Sequence, residues 1–345
     1  MDYSEQLLVS VDRQSILERQ KNAVPQEGKP LIETIRYKSA DDFLNDISYG
    51  GTLYNRMNRM MVFRGLQSGT FELIPSAIRR RIVMANQDGS EYVEDEKAPF
   101  KTADSEWVKR ELEYFSLRNF FESCDANGLR LPDVEKIRKY LYSYKDMGSV
   151  ERIKEEWIPY DLLELAALAQ HYGLETRLLD WTSSIETAIY FAVHSEPKLS
   201  DEDSQKEDAK FVVIWMLDTA IEHKSKSLRF IRPPYYGNPN LAAQKGLFTY
   251  WKEDGFKITS NPISQEEVIE LHRIPINRLP LDQRLSEELA GSKLYQTYLW
   301  KLMIPREGRR TLYDYIVKKN VSAASLFPGY GGVVLSMKEG KDIGD

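Results

Sequence analysis

The sequence has a single cysteine and four histidines among its 345 residues, and this scarcity excludes several kinds of site. Cys124 cannot form an internal disulfide, so nothing in the chain indicates an oxidising compartment. It lies in an aromatic-rich helical segment and is predicted to be buried. The histidines, at positions 171, 194, 223 and 272, do not show the spacing of metal ligands. We therefore expect no bound metal.

Long apolar runs and the common nucleotide-binding loops are also missing. No uninterrupted apolar stretch reaches the roughly 18 residues that a membrane-spanning helix needs. The segment Met1–Gln6 lacks a charged and then apolar leader, so we predict no signal peptide. A Gly-x-Gly-x-x-Gly loop, a Walker loop and a Gly-x-Ser-x-Gly elbow are all absent, which argues against Rossmann, P-loop and hydrolase sites. We expect a cytoplasmic protein with no membrane partner.

Neither sign of charge is in large excess. The chain has 53 acidic and 47 basic residues, a net charge of −6, so it has no general attraction to nucleic acid or to an anionic membrane. The local basic runs Arg79-Arg80-Arg81 and Arg309-Arg310 are interpreted as solvated faces, with the alternative that Arg79-Arg80-Arg81, shortly after the first motif, meets a nucleic-acid or phosphate-rich substrate. A hydrophobic fraction of 42% is sufficient for the core of one large domain or two smaller ones.

Periodicity along the chain predicts an α+β protein. Residues 1–30 are rich in Gln, Glu, Lys and Arg and are predicted to form a mobile arm ahead of a single domain over residues 31–345. A helix is expected from the capping sequence at Ser39 to the Gly50-Gly51 pair. A helical module over residues 103–158 is predicted to be inserted between the first strand and the rest of the sheet.

Apolar runs define the predicted strands and polar stretches the predicted loops. The first strand is expected over Met60–Arg64, and a continuous apolar run predicts a strand buried on both faces over residues 211–217. Shorter strands are predicted over residues 269–276 and 298–304, and solvated loops over residues 84–102 and 196–210.

The triplet Phe63-Arg64-Gly65 ends the first of these apolar runs. A guanidinium at a strand end, beside a residue without a side chain, can bind a phosphate or carboxylate bidentately while the backbone approaches closely. The alternative is a structural arginine paired with a buried acid.

A second motif runs from Gln170 to Ser184 and is dense in functional side chains. Helical spacing of the preceding apolar residues places His171 and Tyr172 on the last turn of a helix that Gly173 ends. An extended segment is predicted over Thr176–Trp181. Ser183 or Ser184 should then cap a new helix, whose free amides favour negative charge.

At these residues the chain resembles the FRG domain family, which is named for its Phe/Tyr-Arg-Gly motif. The resemblance runs from about residue 35 to residue 335 and is identified by four motifs. Gly329 departs from the family, which often has Asp there. The motifs in this chain are Phe63-Arg64-Gly65, Gln170 to Phe191, Gln244 to Thr249, and Ser325 to Gly332.

The order of these motifs resembles that of the ADP-ribosyltransferase fold, and the resemblance implies a split mixed sheet with an inserted helical module. It also implies NAD as a substrate, with ADP-ribosyl transfer or NAD glycohydrolysis as the reaction. The implied catalytic residues are His171, Asp180 and Gln244. The implied NAD-binding residues are Phe63, Arg64, Gly65, Tyr172, Trp181, Thr182, Ser183 and Ser184.

Within this resemblance, Arg64 is expected to meet the pyrophosphate, and Tyr172 or Trp181 to stack on the nicotinamide. Gln244 stands where the related transferases carry Glu or Gln; it can hydrogen-bond a ribose hydroxyl but cannot ionise. Acid/base chemistry would therefore fall to His171, Asp180 or the acceptor.

Two other functions stay open on the sequence. The chain could be a sensor module that binds a nucleotide without turning it over. It could also be a structural domain in which Asp180 pairs Arg177 or Arg64 within a buried polar network. The resemblance makes a role as a toxin or phage-defence effector plausible. A protein, nucleic-acid or other acceptor and the oligomeric state are not determined by the sequence.

Overall fold

The computed structural model describes residues 28–57, 60–79, 84–85, 91–92, 104–143, 150–236 and 238–342. The arm predicted over residues 1–30 lies outside these residues except for its end, where the backbone N–H of Lys29 donates to the carbonyl of Leu294 at 2.8 Å. Most of the loop predicted over residues 84–102 also lies outside the described residues, and its described parts, residues 84–85 and 91–92, are paired strands rather than loop.

Seven of the described strands form one mixed sheet in the order β1-β9-β6-β2-β5-β8-β7. β1 and β9 are parallel, and every other neighbouring pair is antiparallel. β3 and β4 pair with each other in a separate ribbon. The predicted combination of helices with a mixed sheet is confirmed. The strands are β1 (Ile32–Arg36), β2 (Met61–Leu66), β3 (Met84–Ala85), β4 (Glu91–Tyr92), β5 (Leu178–Thr182), β6 (Phe211–Asp218), β7 (Leu228–Ile231), β8 (Gly246–Trp251) and β9 (Leu299–Pro305).

Helices connect and cover these strands. Among the described residues, none of the helices combines the length and the apolar character needed to span a membrane. The α-helices are α1 (Ala40–Asp46), α2 (Thr52–Arg56), α3 (Ser76–Arg79), α4 (Glu106–Ala126), α5 (Val134–Ser143), α6 (Val150–Ile153), α7 (Leu163–His171), α8 (Ile185–Val193), α9 (Asp201–Ser204), α10 (Pro239–Ala243), α11 (Gln265–Arg273), α12 (Leu281–Glu288), α13 (Arg309–Lys318), α14 (Ala323–Leu326) and α15 (Tyr330–Asp342). Short 3₁₀ helices occupy Tyr160–Leu162, Glu207–Lys210, Thr219–His223 and Arg306–Gly308.

A predicted strand and a predicted loop were wrong. The strand predicted over residues 269–276 is instead largely the end of α11, because Ser264 and Glu267 form a capping box that starts a helix ahead of the apolar residues. The loop predicted over residues 196–210 contains α9, which Ser200 caps by accepting a hydrogen bond from the backbone N–H of Asp203.

The helix capped by Ser39 also ends earlier than predicted, at Asp46 rather than at the glycine pair. The Asp46 carboxylate accepts hydrogen bonds from the Tyr37 hydroxyl at 2.8 Å and from the backbone N–H of Leu53 at 2.9 Å. A carboxylate fixed in this way holds the connection to α2 in place and stops the helix before Gly50.

Both faces of the seven-stranded sheet are buried, but they are covered differently. On one face a single apolar core joins the sheet to α12 and includes Leu179, Trp181 and Leu247. On the other face there are two separate cores. One lies under α1, α8, α13 and α14 on the half formed by β9, β6 and β2. The other lies under α4, α5 and α7 on the half that contains β5, β8 and β7. The boundary between them runs along β2 and β5.

Gly65 of β2 lies where α8 packs on the sheet. A Cβ atom at this position would lie 1.8 Å from the carbonyl oxygen of Ala188 and 2.8 Å from the backbone nitrogen of Ala192. Both atoms belong to the helix backbone, which cannot swing away as a flexible side chain can. The close approach of strand and helix therefore requires glycine, independently of any ligand.

We predict that Gly65→Ala destabilises the protein by about 1–3 kcal/mol, because the extra methyl group forces β2 and α8 apart. Urea denaturation followed by circular dichroism measures the change. Gly331→Ala is the matched control, since a Cβ there meets nothing within 4 Å. Equal unfolding midpoints for Gly65→Ala and the wild type would contradict the prediction.

Candidate functional site

The pairing of β2 with β5 is limited to one position. Phe63 faces Thr182, whereas β6 pairs with β2 along all of Met61–Leu66, and β8 pairs with β5 along all of Leu178–Thr182. The two halves of the sheet therefore separate beyond Phe63. The full pairing with β6 also carries β2 through Gly65 to Leu66, so the prediction that the strand ends at Arg64 was wrong.

The side chain of Arg64 spans the opening between the two strands. Its Nη1 donates to the backbone carbonyl of Asp180 at 2.8 Å and lies 2.5 Å from Oδ1 of the same residue. Arg64 is 13% exposed, and its buried Nε finds no hydrogen-bond partner among the described residues. One guanidinium thus replaces the missing strand pairing and forms an ion pair at the same time.

A cavity of about 290 Å³ opens at this point. It lies at the boundary between the two helix-covered cores, which explains how residues far apart in the sequence meet there. Its volume is close to the lower limit of small-molecule pockets, which is about 300 Å³. The lining residues are Phe63, Arg64, Gly65, Gln170, His171, Asp180, Trp181, Thr182, Phe191, Asn240, Leu241, Gln244, Gly246, Leu247, Phe248 and Phe327.

Asp180 presents a charged carboxylate to this cavity, and its side chain is 62% exposed. Desolvation by its surroundings opposes ionisation, but the Arg64 guanidinium outweighs it and holds the pKa of Asp180 below its usual value of 3.8. The site therefore contains a carboxylate that stays ionised across the physiological range.

His171 lies on the last turn of α7, as predicted, and Gly173, with φ of +95°, follows the helix end. Burial lowers the pKa of His171 below 6.5, and the nearby Asp180 only partly offsets this. Its buried Nε2 has no partner within the described part of the chain. The imidazole is therefore neutral at pH 7 and has a ring nitrogen that is not committed to another protein group.

Thr182 and Gln244 connect the walls of the cavity. The Thr182 hydroxyl donates to the carbonyl of Gln244 at 2.7 Å and accepts from the backbone N–H of Ser184 at 3.0 Å. The Gln244 amide donates to the carbonyl of Leu326 at 3.2 Å. Gln244 is the C-cap of α10, directly ahead of β8. These contacts join β5, α10 and α14 around one opening.

Of the predicted site residues, Tyr172, Ser183 and Ser184 do not line the cavity. Ser184 caps α8, as predicted for one of the two serines, by accepting a hydrogen bond from the backbone N–H of Thr187. Ser183 is exposed and its backbone N–H donates to the carbonyl of Lys245. Tyr172 is 61% exposed and packs edge-on against His171.

Trp181 lines the cavity, but its ring points away from Asp180, since neighbouring strand residues alternate between faces. The indole packs in the α12 core and donates to the hydroxyl of Thr249 at 2.8 Å. Four phenylalanines bring aromatic rings to the cavity instead. Sequence reasoning assigned Phe63 to the site and missed the other three, although all three lie within the quoted motifs. The four are Phe63, Phe191, Phe248 and Phe327.

A buried ionic network supports the start of β5. Arg177 is fully buried, and its guanidinium binds Glu113 at 2.7 Å and Glu106 at 2.9 Å. Glu106 also accepts from Arg110 at 2.7 Å. Both glutamates belong to α4, so the network ties the helical module to β5 three residues before Asp180. No cluster of His, Cys, Asp or Glu that could hold a metal is found among the described residues.

Residues 59–201 match the model of the FRG domain family, so this stretch of the chain is an FRG domain. The match covers the Phe63-Arg64-Gly65 motif and the segment from Gln170 to Phe191. No curated protein and no solved structure matches the chain.

We predict that Arg177→Met destabilises the protein by about 3–5 kcal/mol, because it leaves two buried carboxylates without their main counter-charge. Arg138→Met, which removes an exposed ion pair with Asp125, should cost less than about 1 kcal/mol. Urea denaturation of the two variants and the wild type at neutral pH measures both values.

The effect of Arg177→Met should shrink in acid. Although burial opposes the charge, Arg177 and Arg110 hold the pKa of Glu106 below 4.5 in the folded protein. The ion pairs of Glu106 therefore contribute to the free energy of unfolding of the wild type above pH 4.5, and this contribution is lost as the pH falls through the lowered folded-state pKa. A difference between wild type and variant that does not shrink with acidification would contradict this role of the network.

Proposed function

We propose that the cavity binds the nicotinamide end of NAD and that the protein catalyses ADP-ribosyl transfer or NAD glycohydrolysis. The observation that carries the proposal is the carboxylate of Asp180. It is held by Arg64 in the opening between β2 and β5 and is exposed to the cavity. A carboxylate kept ionised at this position is suited to a reaction that develops positive charge.

Cleavage of NAD develops such a charge. As the bond between ribose C1′ and the nicotinamide nitrogen breaks, its electron pair moves to nicotinamide, which leaves as a neutral molecule. The ribose then has oxocarbenium character, which an adjacent carboxylate stabilises. An oxygen or nitrogen atom of the acceptor, or water, forms the new bond to C1′ and releases a proton. In this proposal Asp180 stabilises the cationic sugar, and neutral His171 accepts the proton.

Other lining residues fit the ligand. The phenylalanine rings around the cavity offer apolar surfaces for a flat nicotinamide ring. In this proposal Gln244 hydrogen-bonds a ribose hydroxyl once its contact with Leu326 is exchanged. The proposed role of Arg64 differs from the pyrophosphate binding expected from the sequence. Its Nη1 is committed to Asp180, so in this proposal Arg64 positions that carboxylate. The cavity volume of about 290 Å³ suits one end of a dinucleotide.

A nucleotide sensor that does not turn over its ligand is the alternative. The paired charges of Arg64 and Asp180 would favour a zwitterionic ligand without requiring chemistry. A thermal shift separates the two functions when combined with an activity assay, since a ligand at 100 times its Kd adds about 2.7 kcal/mol of stability. A toxin or phage-defence role, with a protein or nucleic acid as acceptor, belongs to the catalytic proposal.

We predict that purified wild type releases nicotinamide from NAD and that Asp180→Asn lowers the rate about 10²–10³-fold, because the neutral amide cannot stabilise the cationic sugar. Asp208→Asn is the control, since Asp208 is also ion-paired, to Lys301 at 3.1 Å, but does not line the cavity. Chromatography of released nicotinamide, with water, protein or nucleic acid as acceptor, measures the rates. Wild type that leaves NAD intact with every acceptor would end the catalytic proposal; stabilisation by NAD would then favour the sensor.

The pH dependence should report on His171. Its base form accepts the proton, so kcat/KM should be level near neutrality and fall as the pH drops through the pKa of His171, which lies below 6.5. His171→Gln should remove this acidic fall in kcat/KM together with most of the activity. His223→Gln, at an exposed position, should keep both the activity and its acidic fall. An unchanged acidic limb in His171→Gln would assign the titration to another group.

A further inference from the structure

Gln170, half-buried on the last turn of α7, lies in a hydrogen-bond chain that runs from Leu178 through Thr176. The backbone N–H of Leu178 donates to the Thr176 hydroxyl oxygen at 3.2 Å. That oxygen already accepts one bond, and its own hydrogen is donated to Oε1 of Gln170 in a short contact. The Thr176 hydroxyl thus accepts from Leu178 and donates to Gln170, so the Gln170 amide has its oxygen on Thr176. Its NH₂ group lies on the side away from Thr176.

This NH₂ group points to the carboxylate of Asp180. Nε2 of Gln170 lies 3.5 Å from Oδ1, the same oxygen that Nη1 of Arg64 contacts at 2.5 Å. Two donors thus converge on one oxygen of the carboxylate.

We propose that Gln170 is a positioning residue that acts through Asp180: with Arg64 it holds Oδ1, and it leaves Oδ2 as the oxygen that meets the ligand. The identity of that ligand rests on the proposed function, whereas the arrangement of the carboxylate does not. Because Thr176 fixes the amide, Gln170 offers a donor and no acceptor to Asp180, and so favours the ionised carboxylate.

Charged or titratable groups from three elements face Asp180. Arg64 on β2 and Arg79 on α3 favour the carboxylate, and the carboxylate in turn favours protonation of His171 on α7. A change at Gln170 leaves all of these in place. The effect of Gln170 can therefore be measured against a constant background of charge.

The test is the carboxyl ¹³C NMR titration of Asp180, assigned through Asp180→Asn. Gln170→Leu removes the donor, and the ionisation constant of Asp180 should fall about threefold, the effect of one weak hydrogen bond. Gln170→Glu places a second carboxylate against Oδ1, and the constant should fall further because like charges disfavour ionisation. An ionisation constant that is unchanged in both variants would overturn the proposal.

Thr176 gives an independent test of the amide orientation. Thr176→Ser keeps the hydroxyl and should leave the titration of Asp180 unchanged. Thr176→Val frees the amide to turn its oxygen toward Asp180, so the ionisation constant should fall as in Gln170→Leu. Gln296→Leu is the matched control, because Gln296 donates to another aspartate, Asp218, at 2.9 Å, and should not affect Asp180. A Thr176→Ser protein that titrates like Thr176→Val would contradict the directional chain.

The two proposals can fail separately. If wild type does not cleave NAD, the proposed reaction is wrong, but the carboxyl titration still decides the role of Gln170. If NAD is cleaved, Gln170→Leu should lower kcat about threefold with KM nearly unchanged, since it changes how Asp180 meets the transition state. A kcat equal to that of wild type would show that the orientation of Asp180 does not depend on Gln170.

Discussion

The site depends on one constraint, the separation of β2 from β5 beyond a single paired position. Backbone groups at such an opening lose their strand partner and must be satisfied in another way. The Arg64 guanidinium does this for the carbonyl of Asp180 and binds the carboxylate of the same residue. The ion pair therefore belongs both to the sheet and to the cavity. Any ligand in the cavity meets a carboxylate whose position is set by the strands themselves.

The opening persists because each strand that borders it is held from its other side. Gly65 allows α8 to pack directly on the backbone of β2, and β6 pairs with all of that strand. β5 is paired with β8 along its length, and Arg177 at its start is bound to two glutamates of α4. Since buried ion pairs contribute little net stability but are costly to break, this network contributes mainly to the position of β5.

The pairing of Asp180 shows which contacts could be predicted from the sequence and which could not. Asp180 had two candidate partners, Arg177 three residues before it and Arg64 more than a hundred residues before it. Strand alternation disfavours Arg177, an odd number of residues from Asp180, but it could not identify Arg64, because the order of strands in the sheet was unknown. The sheet places β2 beside β5 and turns Arg177 toward α4, so the distant arginine pairs with Asp180. Gly65 was interpreted as room for a ligand; it lines the cavity, and the close packing of a helix also requires it.

The sequence by itself determined features that involve neighbouring residues. These include the helix that ends at Gly173, the serine cap of α8, the buried strand after Lys210 and the first two motifs of the FRG domain. Such features follow from backbone preferences and hydrogen bonds within one or two turns, which a short stretch of sequence specifies. Only the tertiary structure decided which distant residues meet: Arg64 with Asp180, Arg177 with α4, and Phe191 with Phe327 at one cavity. The physical reason is that these contacts depend on the strand order and on helix packing, which no local preference encodes.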